Sequence, residues 1–391
     1  MIAAATVGGI LLASVTLYGI LGGADFGGGL WDLLAGGDRR GHAPRRLIDE
    51  SISPVWEDNH VWLVFALVIF WTAFPVAFAS VMTAAALPLW LAVGGIVLRG
   101  AGFAFRKEVS GLGLQRVFGA VFAFSSLLTP FFMGTVIGAV AAGQIPADAS
   151  HASLAAWTNP TSLLIGFLFV GACGYLAAVY LIGEATRRGD RRLQGYFTRR
   201  AQVAGAATGV LSLATLLELH GPAPALQQHL TGRALPLVIL AGLTGLAVLA
   251  LLAAGRPRGI RVLAALGVAA VVWGWGVAQY PALLPGTAVT LSNAGAPHST
   301  LVALVVLFIV VVVLIGPSFG LLFALHGRQL LQGGDGLAAP AGGGPGAGSP
   351  SRPPRSSGQP GRVSRVVAIG LIAAGAAGAA ARARVRGGRN R

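Results

Sequence analysis

The chain has 391 residues, 55% of them hydrophobic and only 10% charged, a balance that excludes an ordinary soluble domain. Its formal charge of +15 does not imply nucleic acid, because ten of the 28 Lys and Arg lie from Arg328 onward and the rest fall in short loops. A single cysteine, Cys173, excludes an intrachain disulfide and a CxxCH haem attachment, and it reads as a small buried residue in an apolar run.

Uncharged stretches of about 20 residues recur, each long enough as a helix to cross a hydrocarbon core of roughly 30 Å. The short alternating segments of a closed barrel are missing. The predicted fold is an all-α integral membrane protein with nine spans, over 3–33, 57–79, 83–105, 117–142, 162–183, 201–219, 235–255, 260–279 and 300–325. The start, MIAAATVGG, has no basic n-region, so the first apolar segment is expected to stay as a helix.

In the first span, Asp25 lies in LGGADFGGGLWD, and Gly19, Gly23 and Gly27 form a stripe at four-residue spacing on that helix, which lets another helix approach closely. Asp25 points away from that stripe, with Gly29 and Asp32 on its own face. An acid at this depth is costly. It reads as a proton relay or as the counterion of a buried cation, against a carboxyl hydrogen-bonded to nearby backbone.

The next span opens on SPVWEDNHVW. Ser53 and Pro54 read as N-cap and first helical residue, which puts Glu57 and Asp58 in or near the first turn, where the helix dipole favours carboxylates. Asp58 and Trp62 share a face, so an acid and an indole can line one path. Glu57 is read as handling protons, and Asp58 more as a solvated first-turn acid. His60 reads as a hydrogen-bonded interface residue rather than a metal ligand. The apolar run that follows is too long for one crossing and needs a turn between Pro75 and Pro88.

In the third span, Arg99 is the basic residue well inside a helix, two turns before Arg106. It either snorkels to the interface or pairs with Glu57, Asp25 or an anionic cofactor group. Glu218 and His220 sit at an outer helix end, where a solvated role is expected. No cluster of metal ligands, phosphate loop or nucleophilic triad stands out.

Basic residues alternate between loops: Arg39, Arg40, Arg45 and Arg46; then Arg106, Lys107 and Arg116; then Arg187 to Arg200; then Arg256, Arg258 and Arg261, with only Arg233 in the loops between. The positive-inside rule places the N-terminus outside and the C-terminus in the cytoplasm. Residues 331–391, rich in Gly, Pro and Arg, form an expected disordered cytoplasmic tail after a membrane domain of 1–330.

The segments GADFGGG, SPVWEDNHVWL, FPVAFAS, LPLWLAVGGIVLRGAGFAFR and YPALLPG...LSNAGAPHSTL, in that order, resemble subunit II of cytochrome bd-type quinol oxidases. The resemblance implies two four-helix bundles plus one helix. It also implies a heterodimer in the bacterial cytoplasmic membrane that oxidises membrane quinol and reduces dioxygen to water. Haem b and haem d would belong to subunit I, with none ligated here, although a structural quinone or lipid has room in such a subunit. By the same resemblance Asp25 and Glu57 match acids of the proton route, Arg99 an arginine near the subunit interface and haem pocket, and Trp62 the entrance of an apolar oxygen path. Asp58 stands where some relatives have a small residue, and its role is open. Two other classes stay in view: a secondary transporter of a small solute, and a purely structural membrane partner.

Overall fold

The computed structural model describes residues 2–52, 56–109, 112–148 and 150–327, of which 38–40, 52, 56–58, 107–108, 112 and 315–327 are described by backbone alone. The tail from Arg328 onward, and the Ser53–Pro54 cap, lie outside the described residues. The chain divides into Met1–Leu321 and Leu322–Arg391. Among its described residues the first unit has helices as its regular structure, apart from one isolated bridge between Ala282 and Thr290.

Thirteen helices follow one another: α1 Ile2–Leu33, α2 Asp38–Ile52, α3 Trp56–Ala73, α4 Pro75–Ala84, α5 Ala86–Glu108, α6 Leu112–Ala141, α7 Leu154–Thr158, α8 Pro160–Arg187, α9 Arg191–Glu218, α10 Pro224–Thr231, α11 Leu235–Ala253, α12 Ile260–Gln279 and α13 His298–Gly327. Among the described residues seven are long and apolar enough to cross a membrane, or eight if the bent pair α3 and α4 counts as one span. Within the described side chains α13 contributes a shorter apolar stretch, His298–Leu314.

Three predicted segments need correction. The loop after the first span is the helix α2, a polar amphipathic segment whose Pro44, Leu47 and Ile48 recur at helical spacing and bury Leu47 and Ile48, a signal outweighed by the surrounding charge. The second span ends at Ala73, not 79: Pro75 opens α4, which turns by 118°, because proline both fits a first helical position and biases the residue before it away from helix. The arginines from Arg191 to Arg200 are not loop but the first turns of α9. Asp190 caps that helix by accepting from the Leu193 amide at 2.9 Å, and long arginine stems extend from a helix end to water at little cost.

Helix α1, about 48 Å long at 1.5 Å per residue, is packed against α3, α6, α8 and α12. The predicted glycine stripe does the work at its α8 face. A Cβ on Gly27 would lie 1.9 Å from the Cys173 carbonyl oxygen, and one on Gly23 would touch Leu176, although nothing lies within 4 Å at Gly19. Overpacking of such a contact costs about 1–3 kcal/mol or more. Gly27→Ala is therefore expected to lower the thermal midpoint of the purified protein, and Gly19→Ala to leave it unchanged.

A second link ties α2 to the end of α8. Arg188 is hydrogen-bonded to Glu50, which also pairs with Arg46 at 3.1 Å. The Arg188 hydrogen bond holds the Glu50 carboxyl below the usual glutamate range. A lowered folded pKa contributes stability above the ordinary value, and that contribution is lost as pH falls through the folded one. Exposure of both groups limits it to below about 1 kcal/mol. Comparing the thermal midpoints of the parent and Glu50→Gln should show a small gap at neutral pH that closes as pH falls below the ordinary carboxylate range.

Candidate functional site: a buried charge ladder between three helices

Two arginines of α5 reach two aspartates of α1 across the surface of α6. Arg99 and Asp25 form a fork-to-fork pair, with Nη1 donating to Oδ2 at 2.7 Å and Nη2 to Oδ1 at 2.6 Å. Nη2 also donates to the Asp25 carbonyl at 3.1 Å, and Nε to Ser126 Oγ at 2.8 Å. The rings of Phe26 and Phe122 flank the guanidinium, each 5.0 Å from its carbon. Both side chains are at most 4% exposed.

Seven residues further along both helices, two turns or about 10 Å, Arg106 repeats the arrangement. Its Nη1 donates to Asp32 Oδ2 at 3.0 Å, and its Nη2 to Asp49 of α2. Arg45 Nε stands 3.3 Å from the other Asp32 oxygen, which nevertheless has no aligned hydrogen bond; that contact is coulombic. The equal spacing on α1 and α5 shows that the two helices run in the same direction.

Local sequence builds this site. Gly29 leaves room for Ser126, whose Oγ would lie 2.2 Å from a Cβ there. Ser126 passes the polarity on by donating to the Phe122 carbonyl at 2.6 Å. Pro130, inside α6, cannot donate to the Ser126 carbonyl one turn earlier.

Among the partners open to Arg99, the geometry selects Asp25, and of the roles open to Asp25 it favours the counterion. Trp62 lies on α3, half-buried against the cluster of Tyr18, Phe26 and Cys173 that adjoins the ion pair, with an edge contact to Phe65. The backbones of Glu57 and Asp58 form the first turn of α3, but their side chains lie outside the described residues. His60 is half-buried and edge-on to Tyr18 at 6.5 Å. Glu218 and His220 end α9 at the opposite end of the bundle, where His220 contacts Gln227.

Several participants escaped sequence reasoning. Asp32 shares the face of Asp25, as its spacing predicts, and its pairing with Arg106 is signalled in the sequence only by the matched seven-residue offsets of Asp25–Asp32 and Arg99–Arg106. Asn59 is fully buried with both amide atoms unpartnered, as is the Tyr18 hydroxyl; the sequence distinguishes neither. Among the described residues no three His, Cys, Asp or Glu side chains gather as a metal site.

Residues 4–326 match the sequence profile of cytochrome bd terminal oxidase subunit II. The chain belongs to that family. It is 28% identical over 193 residues to the cytochrome bd ubiquinol oxidase subunit 2 of Bacillus subtilis, covering 47% of this chain and 56% of the relative. It is 27% identical over 221 residues to the cytochrome bd-I ubiquinol oxidase subunit 2 of Escherichia coli K12, covering 54% and 56%. The chain thus spans little more than half the length of these curated relatives. The bd oxidase of Geobacillus thermodenitrificans shares the fold, with a TM-score of 0.71 at 23% identity over 83% of this chain and 99% of the other.

Proposed function

We propose that the protein is the non-haem subunit of a quinol-oxidising, oxygen-reducing membrane complex, active only when paired with a haem-bearing subunit I. Membership of the subunit II family is the observation that carries this reading. The partner would hold haem b and haem d and supply the redox chemistry. The present chain would hold fixed charge near the contact, admit protons from one side and leave an apolar way in for oxygen.

In this reading nine segments cross the bacterial cytoplasmic membrane, with the N-terminus outside. The parallel course of α1 and α5 supports it, because one intervening crossing, the bent α3 and α4, restores the direction. The meeting of Arg106 with Asp32 and Arg45, of Arg188 with Glu50, and of Arg200 with the Leu34 carbonyl at 3.2 Å gathers the arginine-rich helix ends on one side, as the positive-inside rule requires.

Glu57, in the first turn of α3 at that end, is the proposed proton acceptor, with Asp58 beside it. Asp25, held by Arg99, sets the charge further in and orders the proton route without itself giving up its partner. Trp62 opens the apolar path for oxygen. Trp62→Ala should raise the oxygen concentration needed for half-maximal uptake; an unchanged value removes the indole from that path. The whole reading is tested by tagging this chain and purifying it from membranes. A haem-bearing helical partner and quinol-dependent oxygen uptake should come with it, and isolation without either refutes the assignment.

A further inference from the structure

We propose that the arginine-rich end of the α8–α9 and α11–α12 hairpins binds the headgroup of an anionic phospholipid, with Arg261 as its anchor. Arg261, in the first turn of α12, lays its guanidinium over the Tyr180 ring at 4.5 Å and donates from Nη2 to the Tyr180 carbonyl at 2.7 Å. Gly183, one turn along α8, makes the seat: a Cβ there would lie 2.4 to 2.6 Å from three guanidinium atoms. The cation is thus built into a helix contact, yet no described carboxylate reaches it, and its Nε is buried without a partner. Buried or half-buried charge calls for a counterion.

The surroundings deepen the deficit. Arg187 and Glu184 lie within electrostatic reach of Arg261, but Glu184 is taken by Arg187 and Arg188. Asp190 is spent on capping α9. Arg256 and Arg258 stand exposed in the turn before α12, with no carboxylate partner among the described residues.

The helix that carries Arg261 also presents apolar surface. On the same helix, immediately beyond Arg261, Val262 and Leu266 are 64% and 47% exposed. Exposed arginines on one side and exposed aliphatic side chains on the other fit an amphiphile with a phosphodiester head, not a soluble anion. Guanidinium groups match phosphate oxygens in planar, charge-assisted hydrogen bonds. The inference needs the chain to span a bilayer but does not rest on the oxidase reading, and its readout is lipid retention rather than turnover.

The test uses the complex as isolated from membranes, exchanged into nanodiscs of phosphatidylglycerol or of phosphatidylcholine, with bound lipid counted by native mass spectrometry after detergent release. Phosphatidylglycerol should be retained in preference to phosphatidylcholine. The double variant Arg256→Gln/Arg258→Gln should weaken that retention about thirty-fold, about five-fold for each surface arginine. Arg261→Gln should abolish retention and Arg261→Lys restore part of it. Should Arg261→Gln fail to assemble, the double variant of exposed residues decides alone. Equal retention by parent and double variant, equal retention of the two lipids, or release by inorganic phosphate at the same concentration as by phosphatidylglycerol would each overturn the proposal.

Discussion

Arg99→Met is expected to destabilise the protein by about 3–5 kcal/mol, because it leaves the Asp25 carboxylate uncompensated among apolar neighbours. The effect is large for a reason visible in the geometry. Arg99 supplies both hydrogen bonds to the carboxylate and one to the Asp25 carbonyl, while Ser126 and two rings hold the other side of the guanidinium. Among the described residues Arg99 supplies both side-chain hydrogen bonds to the carboxylate oxygens. The pair itself is a different matter: replacing both members by apolar residues of similar volume is often neutral. The double variant Asp25→Leu/Arg99→Met should therefore be more stable than Arg99→Met alone, by thermal midpoint and by yield of assembled complex. A double variant no better than the single one would mean that Arg99 acts through packing on Phe26 and Phe122 rather than through its charge. Activity then separates stability from role, since a recovered fold with lost oxygen uptake assigns the charge pair to function.

Glu57→Gln is expected to slow oxygen uptake by about a hundred-fold, the lower end of what a positioned acid or base contributes, with haem content near that of the parent complex. The amide keeps the shape and the helix position but cannot bind and release a proton. Haem content must be measured alongside, because loss of haem with activity would point to failed assembly. Asp58→Asn provides the comparison, and a much smaller effect is expected if that residue is a solvated first-turn acid. Uptake unchanged in Glu57→Gln would remove the residue from the proton route.

Much of the membrane fold was legible because crossing a bilayer imposes a coarse signal, a run of about 20 apolar residues, that survives any detail of packing. Among the described residues seven predicted spans fall on helices long and apolar enough to cross, the second is divided between α3 and α4, and the last shows a shorter apolar stretch in α13. What escaped notice carries no such signal. Helix α2 is polar, α7 and α10 are too short to show a period, and the first turns of α9 are hidden behind four arginines. At the site the expense of burying charge identified Asp25 and Arg99 individually, and only the geometry could join them. Pairings across 74 residues of chain, such as Arg106 with Asp32, depend on which helices become neighbours, and no local pattern states that. Asn59 and Ser126 are the clearest losses: each looks like an ordinary small polar residue until its surroundings are known.

The matched seven-residue steps on α1 and α5 work as a vernier. Inserting a single residue between Gly27 and Asp32 would rotate the second aspartate by about 100° while leaving the first seated, so one rung would break and its neighbour hold. Chain length is fixed within those two stretches, and also between α1 and α2, because Arg45 and Asp49 of α2 close the second rung.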